Sequence, residues 1–170
     1  MKVLVLAASR YGATAEIASS IAATLTRSGL DARTYDADLA PPPDGYDAVV
    51  LGSGVYAGRW LDGARDYVKH HGQALAAMPV WLFSSGPVGD PPVPGEDPVD
   101  VVDISTKTAA RDHRLFPGRL DRRRLRFADR AITAALRAPE GDFRDWEEIA
   151  GWTTTIAEAL GAEVESAANA

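Results

Sequence analysis

The sequence predicts an α/β protein: a three-layer sandwich with a five-stranded parallel sheet, strand order 2-1-3-4-5, and helices on both faces. Two observations lead there. Short, continuous apolar runs, of the kind that build strands buried on both faces, alternate along the chain with segments of helical periodicity. Right-handed crossovers between parallel strands then leave few topologies, and 2-1-3-4-5 is the natural order for five strands.

The elements follow in chain order. Val3-Leu4-Val5-Leu6-Ala7 reads as the first buried strand. Residues 13–28 place Ile17, Ile21 and Leu25 on one helical stripe, with Gly29 as the residue that stops it. Ala32–Tyr35 is a short second strand, and Pro41-Pro42-Pro43 forces a loop between Leu39 and Gly45. Ala48-Val49-Val50-Leu51 is the third strand, followed by a glycine-rich loop from Gly52 to Trp60. Leu61–His71 reads as a helix, Pro79–Phe83 as a strand and Ser84–Gly89 as the loop after it. The proline-rich stretch Asp90–Pro98 is loop, Val99–Ala110 helix and His113–Phe116 the last strand, running into Pro117-Gly118. Residues 121–137 carry an arginine-rich helical pattern that Pro139 and Gly141 end. Asp145-Trp146-Glu147-Glu148 has the form of a capping box opening a final helix to Leu160. A single domain over residues 1–161 with a disordered tail over 162–170 is expected, since the tail has too few apolar residues to order itself.

Composition excludes several function classes. The 170 residues contain no cysteine, which removes disulfides, thiolate metal sites and thiol catalysis. Three histidines, scattered as His70, His71 and His113, make no metal cage, and no metal is expected. A net charge of −6 argues against nucleic-acid binding. No apolar run reaches the ~18 residues of a membrane span. The N-terminal MKVLVLAASR turns polar at Ser9 and is read as a strand rather than a signal peptide, so a cytoplasmic location is expected. The charge is uneven, however: nine of the 18 basic residues, all arginines, lie between Arg111 and Arg137.

In a parallel sheet of this kind, ligands sit outside the carboxyl ends of the strands, where the strand order reverses. Three polar loops converge on that edge. Ser9-Arg10-Tyr11-Gly12-Ala13-Thr14 joins the first strand to the first helix, where open N–H groups and the helix dipole suit a phosphate and the Ser9 and Thr14 hydroxyls can add bonds. The same residues also describe an ordinary strand-to-helix turn with a hydroxyl cap. No Gly-Lys-Ser/Thr follows, so the loop is not a nucleoside-triphosphate loop. Gly52-Ser53-Gly54-Val55-Tyr56-Ala57-Gly58 is spaced one residue too long for a dinucleotide fingerprint. Its Tyr56 and Trp60 offer either stacking faces for a flat ring or anchors for the core.

The ordered set resembles the flavodoxin-like family, and within it the branch of menaquinone-dependent protoporphyrinogen IX dehydrogenases. The resemblance runs from Ser9 to Ile17, through Tyr46–Gly52 and Val55–His71, to Met78-Pro79, Phe83-Ser84 and Asp145-Trp146-Glu147. It implies FMN, with the phosphate held by Ser9, Arg10, Tyr11, Gly12, Ala13 and Thr14. It also implies an isoalloxazine ring flanked by Val55, Tyr56, Ala57, Gly58, Arg59 and Trp60 and by Ser84, Ser85, Gly86, Pro87, Val88 and Gly89. The flavin then carries the chemistry, and no protein residue need act as acid or base.

The function this implies is an FMN-dependent oxidoreductase or electron-transfer protein. Its partner is a redox protein or a small molecule of quinone or porphyrinogen type. A one-electron shuttle and a binding module without catalysis are the alternatives. Arg119–Arg130 keeps a strongly basic character with Phe127 as its one aromatic residue, and reads either as a solvated helix face or as a docking site for an acidic protein or anionic lipid headgroups.

Overall fold

A computed structural model describes residues 1–86, 97–135 and 138–168. Its strands are β1 (Lys2–Ala8), β2 (Asp31–Asp36), β3 (Ala48–Tyr56), β4 (Arg59–Trp60), β5 (Val80–Ser85), β6 (Asp112–Phe116), β7 (Arg119–Leu120) and β8 (Gly141–Asp142). Its helices are α1 (Ala13–Arg27), α2 (Asp62–Ala76), α3 (Val101–Thr108), α4 (Phe127–Ala135) and α5 (Trp146–Ala168). The parallel sheet runs β2-β1-β3-β5-β6, which is 2-1-3-4-5 when only the five parallel strands are counted.

Strand alternation divides the core into two halves. Val3, Val5 and Ala7 of β1 point to one face, where they meet Ile17, Ile21 and Leu25 of α1 and Ile149, Trp152 and Ile156 of α5. Leu4, Leu6 and Ala8 point to the other, where Tyr67, Val68 and Leu75 of α2 and Ile104 of α3 cover them. Both faces of the central strands are therefore dry, which explains why these strands read as continuous apolar runs.

Helix ends follow local chemistry. Gly29 adopts φ 90°, and the Leu30 N–H reaches back to the Leu25 carbonyl at 3.1 Å, closing α1 as the sequence suggests. Asp145 caps α5, its Oδ1 accepting the N–H groups of Glu147 at 3.0 Å and Glu148 at 2.9 Å. This helix runs on through residues 162–168, past the end of its apolar stripe at Leu160. Alanine and glutamate are strong helix formers.

Three expectations are corrected. The glycine-rich stretch after Leu51 is not a loop: β3 continues to Tyr56 and folds back on β4 as a hairpin. Gly52 belongs in the strand because the Phe83 ring occupies the place of a side chain there; a Cβ would stand 2.0 Å from Phe83 Cζ. Ser84 and Ser85 likewise belong to strand β5 rather than to the loop after it. The arginine-rich stretch is not one helix from 121. Arg119-Leu120 pairs with Gly141-Asp142 as an antiparallel ribbon, residues 122–124 turn, and α4 starts only at Phe127. Asp121 causes the break, its carboxylate accepting the Arg123 N–H at 3.0 Å while its carbonyl accepts that of Arg124 at 3.0 Å.

Candidate functional site

A cavity of about 710 Å³ opens at the carboxyl edge of the sheet, within the size range of cofactor sites. Its floor starts at α1. Gly12 precedes that helix at φ 88°, a left-handed conformation that glycine adopts without cost, and no side chain caps the helix. The Gly12 N–H is taken by Ser9 Oγ at 3.1 Å. The N–H groups of Ala13, Thr14 and Ala15 have no helical partner by geometry and face the loop side.

Three chain segments meet closely beneath the cavity. A Cβ on Gly86 would lie 3.1 Å from Val55 Cβ, and one on Gly118 would lie 3.2 Å from Gly86 Cα. The hairpin at the end of β3 turns on Ala57 and Gly58, with φ 49° and 71°. Positive φ at both central residues is the turn that matches strand twist, and Ala57 holds it at a steric cost of roughly 1 kcal/mol. Val99 donates its N–H to the Gly58 carbonyl at 3.0 Å, and the Asp100 carboxylate accepts the Trp60 N–H at 3.1 Å, so the hairpin is clamped from the α3 side.

Of the residues implied by resemblance, Arg10, Tyr11, Ala13, Thr14, Val55, Tyr56, Ala57, Arg59, Trp60, Ser85 and Gly86 line this cavity. Ser9, Gly12, Gly58 and Ser84 stand behind it and shape the segments that do. Pro87, Val88 and Gly89 lie outside the described residues. The two aromatic residues differ in what they do. Trp60 is only 2% exposed and anchors the α2 side of the core, its indole N–H donating to Ser84 Oγ at 2.7 Å. Ser84 in turn meets His113 Nε2 at 2.8 Å, while Nδ1 of the same ring lies 3.4 Å from the Asp97 carboxylate. This arrangement assigns the proton to Nδ1. Burial pushes the His113 pKa down, although Asp97 and Asp112 pull the other way. Tyr56 borders the cavity with the Arg10 guanidinium 4.6 Å from its ring centroid. Burial pushes its phenol up to about 12, with Arg10 opposing.

The sequence reading missed the far wall. Gly118, Arg119, Leu120, Asp121, Arg124, Leu125 and Asp129 all line the cavity, so the segment read as a solvated or docking helix is a strap across the site. Tyr11 of the β1–α1 loop donates its O–H to Asp129, and its oxygen accepts the Arg126 N–H at 3.2 Å. Arg10 Nη1 lies 3.4 Å from the same carboxylate. Pro117-Gly118 after the last strand was the available signal, being a fourth strand end on the same edge.

Below the strap, Glu16 in the first turn of α1 accepts from Arg119 at 2.9 and 3.0 Å and from Arg144 at 2.8 Å. Burial opposes the Glu16 charge, but the two guanidinium groups outweigh it and hold the carboxyl below its ordinary range. Arg144, its side chain 2% exposed, also bonds Asp142 through Nε at 2.8 Å and Nη2 at 2.5 Å, and its hydrogen bonds keep that carboxyl low. It reaches the Ala13 carbonyl at 3.3 Å and lies 4.5 Å over the Trp146 ring. Among the described residues no cluster of His, Asp or Glu could hold a metal ion, and no helix is long and apolar enough to cross a membrane.

A doubly wound sheet with a cavity at the strand-order reversal, opening on an uncapped helix start, defines a protein built to hold a phosphorylated ligand. The chain belongs to the flavodoxin domain family, which matches residues 4–146. Membership makes FMN its cofactor. The protoporphyrinogen IX dehydrogenase [quinone] of Escherichia coli strain K12 is 27% identical over 172 aligned positions, covering 92% of this chain and 95% of that protein. Two solved structures share the fold at 16% identity. A flavodoxin from the domain Archaea superposes with TM-score 0.64 over 95% of this chain and 99% of its own. The rubredoxin oxygen:oxidoreductase of Desulfovibrio gigas gives 0.67 over 96% of this chain, which spans 37% of that longer protein.

Proposed function

We propose that the chain is an FMN-dependent oxidoreductase exchanging electrons with a partner at the mouth of the cavity. One observation carries this reading: a single cavity begins on the open first turn of α1 and ends on the β3–β4 hairpin. The phosphate would lie against the Ala13 and Thr14 N–H groups and the Thr14 hydroxyl. Val55–Arg59 and Ser85-Gly86 would flank the ring. The bound flavin supplies the redox chemistry; the protein orients it and sets the charge around it. Arg59 at the ring end favours an anionic reduced ring, raising its potential. We place the protein in the cytoplasm.

The test is titration of the purified apoprotein with FMN, followed by flavin fluorescence and absorption. Micromolar or tighter binding of FMN, with FAD weaker, supports the reading; no binding of either overturns it and leaves the binding-module alternative. Protoporphyrinogen IX oxidation with a quinone acceptor is the second reading, favoured by likeness to the Escherichia coli enzyme along nearly the whole length of both chains. Growth rescue of a bacterium lacking its protoporphyrinogen oxidase supports it. Failure to rescue by an expressed, FMN-loaded protein rejects that substrate and leaves electron transfer to a redox protein.

A further inference from the structure

We infer that Arg124 is a ligand of the cofactor phosphate and the residue that makes the site prefer FMN over unphosphorylated riboflavin; this rests on the FMN reading above. A phosphate monoester carries about −1.5 to −2 charges at neutral pH. A helix start offsets only about half a charge. The β1–α1 loop contains one cation of its own, Arg10, and that side chain is engaged, 4.6 Å from the Tyr56 ring centroid and 3.4 Å from Asp129.

Further charge compensation is then available from across the cavity. Arg119 is held by both oxygens of Glu16, and Arg65 is paired with Asp62. Arg124 is differently placed. Its Nη1 lies 3.9 Å from the position a Cβ on Gly12 would take, directly beside the residue that opens α1. Its Nε stands 3.6 Å from Asp121, and among the described residues its two terminal nitrogens make no hydrogen bond. A guanidinium fork with free terminal N–H groups is the geometry that receives phosphate oxygens in pairs.

The position is built from the backbone up. The Arg124 N–H bonds the Asp121 carbonyl at 3.0 Å, fixing the turn that presents the side chain. Tyr11 joins the strap to the loop that starts the phosphate site, through Asp129 and the Arg126 N–H. Strap and loop are therefore one unit, with the cation on one side of the phosphate and the helix amides on the other.

The experiment measures FMN and riboflavin dissociation constants by fluorescence for the parent, R124Q, R124K and R123Q. Arg123 serves as the control: its side chain is 91% exposed and it shares the local sequence and charge. R124Q should weaken FMN roughly ten- to thirtyfold, the lower range for a charge-assisted bond at a half-exposed site, and leave riboflavin unchanged. R124K should fall between, and R123Q should match the parent. Unchanged FMN affinity in R124Q overturns the assignment, as does an equal loss for both flavins, which would mark a purely structural role. A parent protein that binds neither flavin removes the FMN reading itself. Unchanged thermal midpoints in R124Q separate lost contact from lost fold.

Discussion

Replacing Arg144 with methionine should destabilise the protein by about 2–3 kcal/mol and loosen the cofactor site with it. The side chain is 2% exposed and makes hydrogen bonds to Asp142, Glu16 and the Ala13 carbonyl. Removing one member of a fully buried ion pair costs about 3–5 kcal/mol, because a charge is left without a partner. Here the partners are 45% and 42% exposed, so both carboxylates rehydrate and the cost falls below that range. Methionine fills most of the volume and keeps contact with Trp146, but loses a cation–π term of about 0.5–1 kcal/mol. For a chain of this size the sum corresponds to a thermal midpoint lower by roughly 4–12 °C. R144K retains the charge without the fork and should lie between. Equilibrium denaturation of R144M, E16Q and the double variant measures the Glu16–Arg144 coupling, expected at about 1 kcal/mol. FMN affinity should drop in R144M, since the guanidinium ties the first turn of α1 to the β7–β8 ribbon. An R144M stability within about 0.5 kcal/mol of the parent would refute the reasoning.

Acid sensitivity follows from the same network. Glu16 and Asp142 both have folded pKa values below their ordinary ones, so their stabilisation is complete above the ordinary carboxylate range and is lost as pH falls through the folded values. R144M should therefore show a shallower loss of stability between about pH 5 and pH 2 than the parent; identical slopes would count against this. Gly52→Ala places a Cβ 2.0 Å from Phe83 Cζ, on a ring already packed against Phe116 and Trp152. Such overpacking should cost about 1–3 kcal/mol or more in denaturant titration, and a neutral G52A would show that Phe83 can move aside. Ser84→Ala leaves the Trp60 indole N–H and His113 Nε2 without their partner, which should cost about 1–3 kcal/mol. A chevron or equilibrium curve matching the parent would mean that water replaces the hydroxyl.

The sheet was legible because its central strands are dry on both sides. Val3–Ala7, Ala48–Leu51 and Val80–Phe83 have no polar face to disguise them, and the helices that cover them show one apolar stripe each. Gly29 and Asp145 were legible because a turn of helix ends or begins on chemistry carried by one residue. The cavity lining was readable at three strand ends, at Ser9–Thr14, Val55–Trp60 and Ser85-Gly86, because all three leave the sheet on its carboxyl edge. Glycine misled the reading at Gly52, which is in a strand because a ring from the neighbouring strand fills its side-chain space. That contact pairs residues 31 positions apart, and no local pattern encodes it. The strap was hidden for a different reason. Arg119–Arg130 looks like a charged helix face by composition, but Asp121 offers the backbone a turn at less cost than helix initiation.

The strap also resolves a tension in the charge distribution. The chain carries a net −6, which opposes the approach of an anionic cofactor, yet the cavity walls carry five arginines against three aspartates. The basic cluster is therefore divided: Arg119 and Arg124 line the cavity, while Arg123, Arg126 and Arg130 are exposed outside its lining. Arg119 braces α1, the Arg122 guanidinium bonds the Ala138 carbonyl at 3.1 Å, and Arg124 faces the helix start. A positive cleft in a negative protein focuses field lines on the cleft, so the anionic end of the ligand is drawn to the wall that can hold it. Arg123, Arg126 and Arg130 of the basic segment and Arg59 of the hairpin remain exposed to solvent. A redox partner approaching the cavity mouth would meet Arg59, Tyr56 and Ala57 of the hairpin on one side and the arginine-rich strap on the other.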